Sequence, residues 1–265
     1  MGMQVAGSTI LVTGASSGIG AALAPMLAER GATVGVLARR ADRLAEVLER
    51  CQVHAPDSRM WVADLDDVEG SVAVALEAWD AFGHLDVVVH NAAVPSRRPF
   101  PELTAEELEK TFRVNFFSPA RMTMAILPRM LERDRGMIVN VSSLGGRLGI
   151  VHEAAYCATK FALCGWSECM QIDLTGTGVE TRLVIPGAID TEIWESPETG
   201  PPLYDGPKEA PEVVAQGIVD AIESDTFEHY VPDMKGIAEY KTSNIDEFLA
   251  GVAQMAADAG GEAHA

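Results

Sequence analysis

The stretch "TILVTGASSGIGAALAPMLAERG", from Thr9 to Gly31, decides the fold. Thr9–Thr13 is a short, continuous apolar run that stops at Gly14 and reads as a buried strand. From Gly18 the apolar residues recur at helical spacing, and Gly31 supplies the C-terminal stop. Gly14, Gly18 and Gly20 lie between the two periodicities. A strand, a glycine-rich turn and a helix in that order bring a helix N-terminus, with its unpaired N–H groups, to the end of a strand. The turn must be tight, and backbone can approach a pyrophosphate closely there. The positive end of the helix points at the anion. The spacing is Gly-x-x-x-Gly-x-Gly rather than the commoner Gly-x-Gly-x-x-Gly.

Outward from this unit, strand and helix signals alternate. "TVGVLA" (Thr33–Ala38) predicts a second buried strand, "DRLAEVLERC" a helix, "MWVADL" a strand, "SVAVALEAWDAFG" a helix and "LDVVVHNAA" a strand running into a loop. Residues 104–133 predict helix, opened by a Thr104/Glu107 capping box. "GMIVNVSS" predicts the fifth strand, 154–175 a helix, "VETRLVIPG" the sixth strand, Pro211 the start of a helix and "EHYVP" the seventh strand. Strands rich in Val, Ile and Leu, each followed by a helix, predict a Rossmann-like, doubly wound α/β fold. Its seven-stranded parallel sheet carries helices on both faces. Residues 1–235 are expected to form one dinucleotide-binding and catalytic domain, and 236–265 a C-terminal extension whose last dozen residues are disordered. The segment Ala188–Ala210 carries Pro197, Pro201, Pro202 and Pro207 and reads as a binding loop or lid.

With 265 residues, 48% hydrophobic and 22% charged, the chain reads as a soluble globular protein. A net charge of −19 argues against a nucleic-acid partner, which needs a concentrated basic surface. No apolar run reaches the ~18–20 residues of a membrane span. The N-terminus has no basic segment and enters a strand almost at once, so no signal peptide, no membrane partner and a cytoplasmic location are expected. Cys51, Cys157, Cys164 and Cys169 form no Cys-x-x-Cys pair and read as reduced thiols, and no metal is expected.

Two Tyr–Lys pairs have the spacing of one helical turn, Tyr156/Lys160 in "AAYCATKFAL" and Tyr204/Lys208 in "YDGPK". In the first, nothing interrupts the helix, so both side chains share a face. In the second, Gly206 and Pro207 intervene, which assigns that pair to the loop. Ser143 precedes Tyr156 by thirteen residues at the end of strand five, and Asn115 lies on an earlier helix in "FRVNFFSPA".

With these residues in register, the chain resembles the single-domain short-chain dehydrogenases/reductases over about residues 6–232. Thr13, Gly14, Gly18, Ile19 and Gly20 match that family's opening motif. Ser143, Tyr156 and Lys160 match its catalytic triad, and Asn115 its fourth member. The thirteen-residue interval to Tyr156 selects Ser143 over Ser142. The resemblance implies hydride transfer between a nicotinamide cofactor and a small alcohol or carbonyl substrate. Tyr156 would be the acid/base, Lys160 would lower its pKa and bind the cofactor ribose, Ser143 would hold the substrate oxygen, and Asn115 would support a proton relay. A phenol has a pKa of ~10 and is a poor base at neutral pH. A nearby ammonium and an oxidised nicotinamide favour the phenolate.

The glycine turn, with Ser16 and Ser17, is the expected cofactor site. At the end of strand two an acidic residue would bind a ribose hydroxyl and an arginine a 2′-phosphate. The sequence there reads Ala38-Arg39-Arg40, which predicts NADP(H) over NAD(H), with Arg40 assisting. Asp64, followed by Leu65, matches the family's acidic residue beside the adenine, or is a loop cap. "HNAA" keeps Asn91 and Ala92 of the family's Asn-Asn-Ala-Gly but departs at His90 and Ala93. Pro186, Gly187, Ile189 and Thr191, after strand six, match the segment that meets the nicotinamide. Leu144, His152 and Trp194 are the candidate substrate contacts. Trp194 would serve either as a wall for an apolar substrate or as a packed lid anchor. A homodimer through the helices at 113–133 and 154–175 is expected, with a tetramer as the alternative. A non-catalytic dinucleotide sensor or interaction protein on the same fold is the competing functional reading.

Overall fold

The computed structural model describes residues 2–196 and 199–262. Seven strands form one parallel sheet: β1 (Thr9–Thr13), β2 (Thr33–Ala38), β3 (Arg59–Val62), β4 (Val87–His90), β5 (Gly136–Val141), β6 (Val179–Pro186) and β7 (Glu228–Val231). Their spatial order is β3-β2-β1-β4-β5-β6-β7, each pair parallel. The order reverses between β1 and β4, which opens a crevice at the C-terminal ends of those two strands. Between the strands run α1 (Gly18–Glu29), α2 (Ala41–Gln52), α3 (Val68–Phe82), α4 (Ala105–Phe112), α5 (Ser118–Glu132), α6 (Ala154–Asp173) and α7 (Pro211–Glu223).

The central strands β1, β4 and β5 are fully buried and almost wholly apolar because both sheet faces are covered there, whereas the edge strands β3 and β7 are partly exposed. Val87 and Val89 of β4 pack with α1, α2 and α7 residues such as Leu23, Leu44 and Ile218. Val88 turns to the other face, with Ala78 of α3, Ile126 of α5 and Met170 of α6.

Two stretches depart from expectation. The helix predicted over 104–133 is broken: α4 ends at Phe112, a π-helical turn spans Arg113–Phe117, and α5 begins at Ser118. Pro119 is the cause. It has no N–H for the carbonyl of Asn115 four residues back, so the ladder widens there. The second departure is in the C-terminal extension, which forms α8 (Lys235–Ser243) and α9 (Ile245–Glu262); α9 continues to Glu262, within the last dozen residues for which disorder is expected. The alanine-rich composition that suggests disorder also carries the highest intrinsic helix propensity. Residues 263–265 lie outside the described residues. Among the described residues, no helix is long and apolar enough to cross a membrane.

Candidate active site

β5 delivers two adjacent serines in opposite directions. Ser142 points inward, its hydroxyl donating to the Lys160 carbonyl at 3.2 Å and lying 3.2 Å from Cys164 Sγ. Ser143 is only half-buried. Its Oγ accepts the Gly145 amide at 3.1 Å, and its hydroxyl favours the anion of the nearby Tyr156 phenol. The pleat that alternates side chains along a strand thus separates a structural serine from a chemical one.

Tyr156 and Lys160 lie one turn apart on α6, with Lys160 Nζ 5.7 Å from the Tyr156 ring centroid. Lys160 is only 2% exposed, and its ammonium donates to the Val141 carbonyl at 2.9 Å. Asn115 sits on the π-helical turn. Its Oδ1 accepts the Val94 amide at 2.8 Å, and its Nδ2 donates to the Val94 carbonyl at 2.9 Å and to Thr159 Oγ1 at 3.2 Å. Thr159 in turn donates to the Tyr156 carbonyl at 2.7 Å. Asn115 therefore ties the loop after β4 to the helix that carries Tyr156 and Lys160. The four expected catalytic residues converge; Tyr204 and Lys208 do not join them. The Tyr204 hydroxyl donates to the Pro207 carbonyl at 2.8 Å, and Lys208 Nζ lies 4.7 Å from the Trp194 ring centroid.

Enclosure raises the Tyr156 pKa above the usual phenol range, and the Ser143 hydroxyl opposes that rise. Burial brings Lys160 down to about 8, so it remains mostly protonated at neutral pH. The residues immediately around this pair were not singled out in the sequence. Glu153, three residues before Tyr156, is raised to about 7 by burial, with Arg97 pulling the other way. Arg97 is 4% exposed; its guanidinium donates to the carbonyls of Gly200 (3.0 Å), Ile193 (2.7 Å) and Trp194 (3.4 Å). Trp194 is packed as a lid anchor rather than an exposed wall: its indole donates to the Ile189 carbonyl at 2.6 Å and its ring lies 6.0 Å from that of Tyr204. His152 has φ +62 and an exposed side chain, so its backbone is what the fold uses, accepting the Arg98 amide at 2.7 Å. Leu144 is half-buried in the short turn after Ser143.

A cleft of about 850 Å³ opens at the β1/β4 crevice and reaches Val94 and Val114 next to Asn115, but Asn115, Ser143, Tyr156 and Lys160 themselves do not line it. Gly14, Ser16, Ser17, Gly18 and Ile19 line its floor. Gly14 has φ +68, and a Cβ there would stand 2.7 Å from the Ala92 Cα. Thr13 fixes this approach, its hydroxyl accepting the amides of Asn91 (3.0 Å) and Ala92 (3.1 Å). No side chain caps the N-terminus of α1 and its first turn holds no acidic residue. Its amides thus face the cleft as an anion site, which fits a dinucleotide's phosphates. Asn91, Ala92, Ala93, Asp64, Leu65 and Thr191 also line the cleft. Gly20, Pro186, Gly187 and Ile189 do not. Gly20 packs against the Gly14 carbonyl, Pro186 and Ile189 are buried, and Gly187 backs onto Met234. His90 lies away from the cleft, its Nε2 2.9 Å from Thr123 Oγ1. A second cavity, of about 870 Å³ between α7 and β7, holds none of these residues.

On the adenosine side, Arg39 lies 3.5 Å from Asp64, both half-exposed. Arg40 donates from Nε to Ser16 Oγ at 3.3 Å and from Nη1 to Glu192 Oε2 at 2.7 Å. Arg43, which the sequence reading passed over, binds the other oxygen of Glu192. Its signal was available: it lies one helical turn beyond Arg40.

A parallel doubly wound sheet with Ser143 just after β5 and Tyr156 and Lys160 on α6 defines a class, and comparison names it. Residues 8–201 match the short chain dehydrogenase family. The chain is 31% identical over 223 residues to a ketoacyl reductase of a Nostoc species, covering 84% of this chain and 77% of that one. A short-chain dehydrogenase of Burkholderia cenocepacia, solved with NADP, superposes with a TM-score of 0.78 at 28% identity over 94% of this chain and 99% of that one. One from Burkholderia phymatum, solved with NAD, shares the fold with a TM-score of 0.84 at 22% identity, covering 92% and 96%. The chain belongs to the short-chain dehydrogenase/reductase family of oxidoreductases.

Proposed function

We propose that this oxidoreductase interconverts a secondary alcohol and a ketone, or a primary alcohol and an aldehyde, with NADP(H) as its cofactor and Tyr156 as proton carrier. The observation that carries the reading is the buried Lys160 ammonium, held by the Val141 carbonyl at 2.9 Å and 5.7 Å from the Tyr156 ring, with the Ser143 hydroxyl favouring the anion of the same phenol. When bound, the nicotinamide supplies or accepts the hydride. The uncapped α1 turn and Gly14 would hold the diphosphate, Asn91 to Ala93 would flank the adenosine-to-nicotinamide path, and Arg39 with Arg40 would hold the 2′-phosphate. The NADP complex of the Burkholderia cenocepacia relative is in keeping with this.

For reduction, Tyr156 donates the proton on Oη to the substrate oxygen as charge develops there. Ser143 donates a second hydrogen bond and shares that charge. A phenol held protonated by enclosure is suited to this direction. For oxidation, the phenol must lose its proton, and the adjacent Lys160 ammonium favours the anion. Asn115 positions α6 by holding both backbone atoms of Val94.

The test is absorbance at the nicotinamide band with NADPH and a panel of ketones and aldehydes. Turnover by the wild type, at least 10³-fold lower in Tyr156→Phe with NADPH affinity unchanged, is expected. Cofactor binding with no turnover on any substrate would favour the non-catalytic sensor instead.

A further inference from the structure

Glu192 joins the two banks of the cofactor cleft. It opens the short turn Glu192–Glu195 after Thr191, on the loop bank. Arg40 and Arg43 stand on the other bank, at the N-cap and in the first turn of α2. Glu192 Oε2 accepts Arg40 Nη1 at 2.7 Å, and Oε1 accepts Arg43 Nη1. Arg40 is also bonded to Ser16 of the glycine turn at 3.3 Å. All four residues line the same cleft.

Cations are disfavoured at a helix N-terminus, so two arginines there call for an anion in front of them. An arginine fork suits carboxylate and phosphate alike. A carboxylate that gives one oxygen to each of two guanidinium groups presents what two phosphate oxygens would present. Among the described residues, the other acid paired with this arginine group is Asp64, which reaches Arg39 at 3.5 Å.

We infer that Glu192 is a specificity-determining residue for the cofactor: its carboxylate holds Arg40 and Arg43 in place of a phosphate, and a 2′-phosphorylated dinucleotide must displace it. An unphosphorylated dinucleotide leaves the carboxylate bound. Glu192 thereby restrains the preference that the arginines create. The inference rests on the NADP(H) reading above and adds the residue that opposes it.

The experiment is a fluorescence titration of NADPH and NADH against wild type, Glu192→Gln and Arg43→Gln, with melting curves to establish that each is folded. Glutamine keeps the shape and removes the charge. Glu192→Gln is expected to tighten NADPH about five-fold, the scale of ~1 kcal/mol, with NADH changed less than two-fold. The gain should shrink in 0.5 M salt, a condition in which exposed charges are screened over about 4 Å. Arg43→Gln should loosen NADPH selectively. Equal tightening of both cofactors, or weaker NADPH binding in Glu192→Gln, overturns the inference while leaving the NADP(H) reading intact. Binding of neither cofactor by wild type overturns both.

Discussion

Replacing Lys160 with methionine should stabilise the protein at neutral pH while removing its activity. The ammonium is 2% exposed and its pKa falls to about 8 from an ordinary 10.5, so holding it charged costs the fold about 3 kcal/mol at pH 7. Methionine fills similar volume and carries no charge. It forfeits the bond to the Val141 carbonyl, about 1 kcal/mol or somewhat more, leaving a net gain of roughly 1–2 kcal/mol. The gain has a defined pH dependence. Between pH 8 and 10.5 the unfolded chain holds a proton on this lysine that the folded chain has released, so wild-type stability rises with pH across that window. Above it the side chain is neutral in both states and the advantage of methionine is gone. Urea denaturation of both proteins at pH 7, 8, 9 and 10.5 reads this directly, because other titrating groups cancel in the difference. A difference that stays constant with pH, or a variant less stable at pH 7, would refute the assignment of Lys160 as a strained cation kept for chemistry.

Two further substitutions probe the site. Arg39→Asp should invert the cofactor preference, weakening NADPH tenfold or more and strengthening NADH, as read by the ratio of kcat/KM values; an unchanged ratio removes Arg39 from the 2′-phosphate site. Ser143→Ala should lower kcat by about 10²-fold with little change in melting temperature. Ser142→Ala, by contrast, should act on stability, leaving the buried Lys160 carbonyl and Cys164 short of a partner, while kcat stays within a few-fold. Exchange of those two outcomes would assign the chemistry to the wrong serine.

Much of this site was legible because its parts are local in sequence. Tyr156 and Lys160 share a helical face by spacing alone, and the strand–glycine–helix order of Thr9–Glu29 fixes where an anion can sit. The parallel sheet followed from strands without a polar face. What escaped is tertiary. Arg43 meets Glu192 across 149 residues, and Arg97 meets Gly200 across 103, pairings that no periodicity encodes. The break at Asn115 was readable in principle, since Pro119 stands four residues on, but the apolar pattern runs through it unbroken. The alternatives for Trp194 could be settled only by its neighbours.

The hold of Arg97 on Ile193, Trp194 and Gly200 has a consequence for how this enzyme can change. The guanidinium grips carbonyl oxygens, which every residue type possesses, and the Gly200 amide returns a bond to the Arg97 carbonyl at 2.9 Å. The backbone at these points is thereby decoupled from the identity of the side chains. Mutations there can alter what faces the cleft, which Ile193 lines, without dismantling the scaffold beneath. Libraries aimed at new substrates belong on those positions, with Arg97 left untouched.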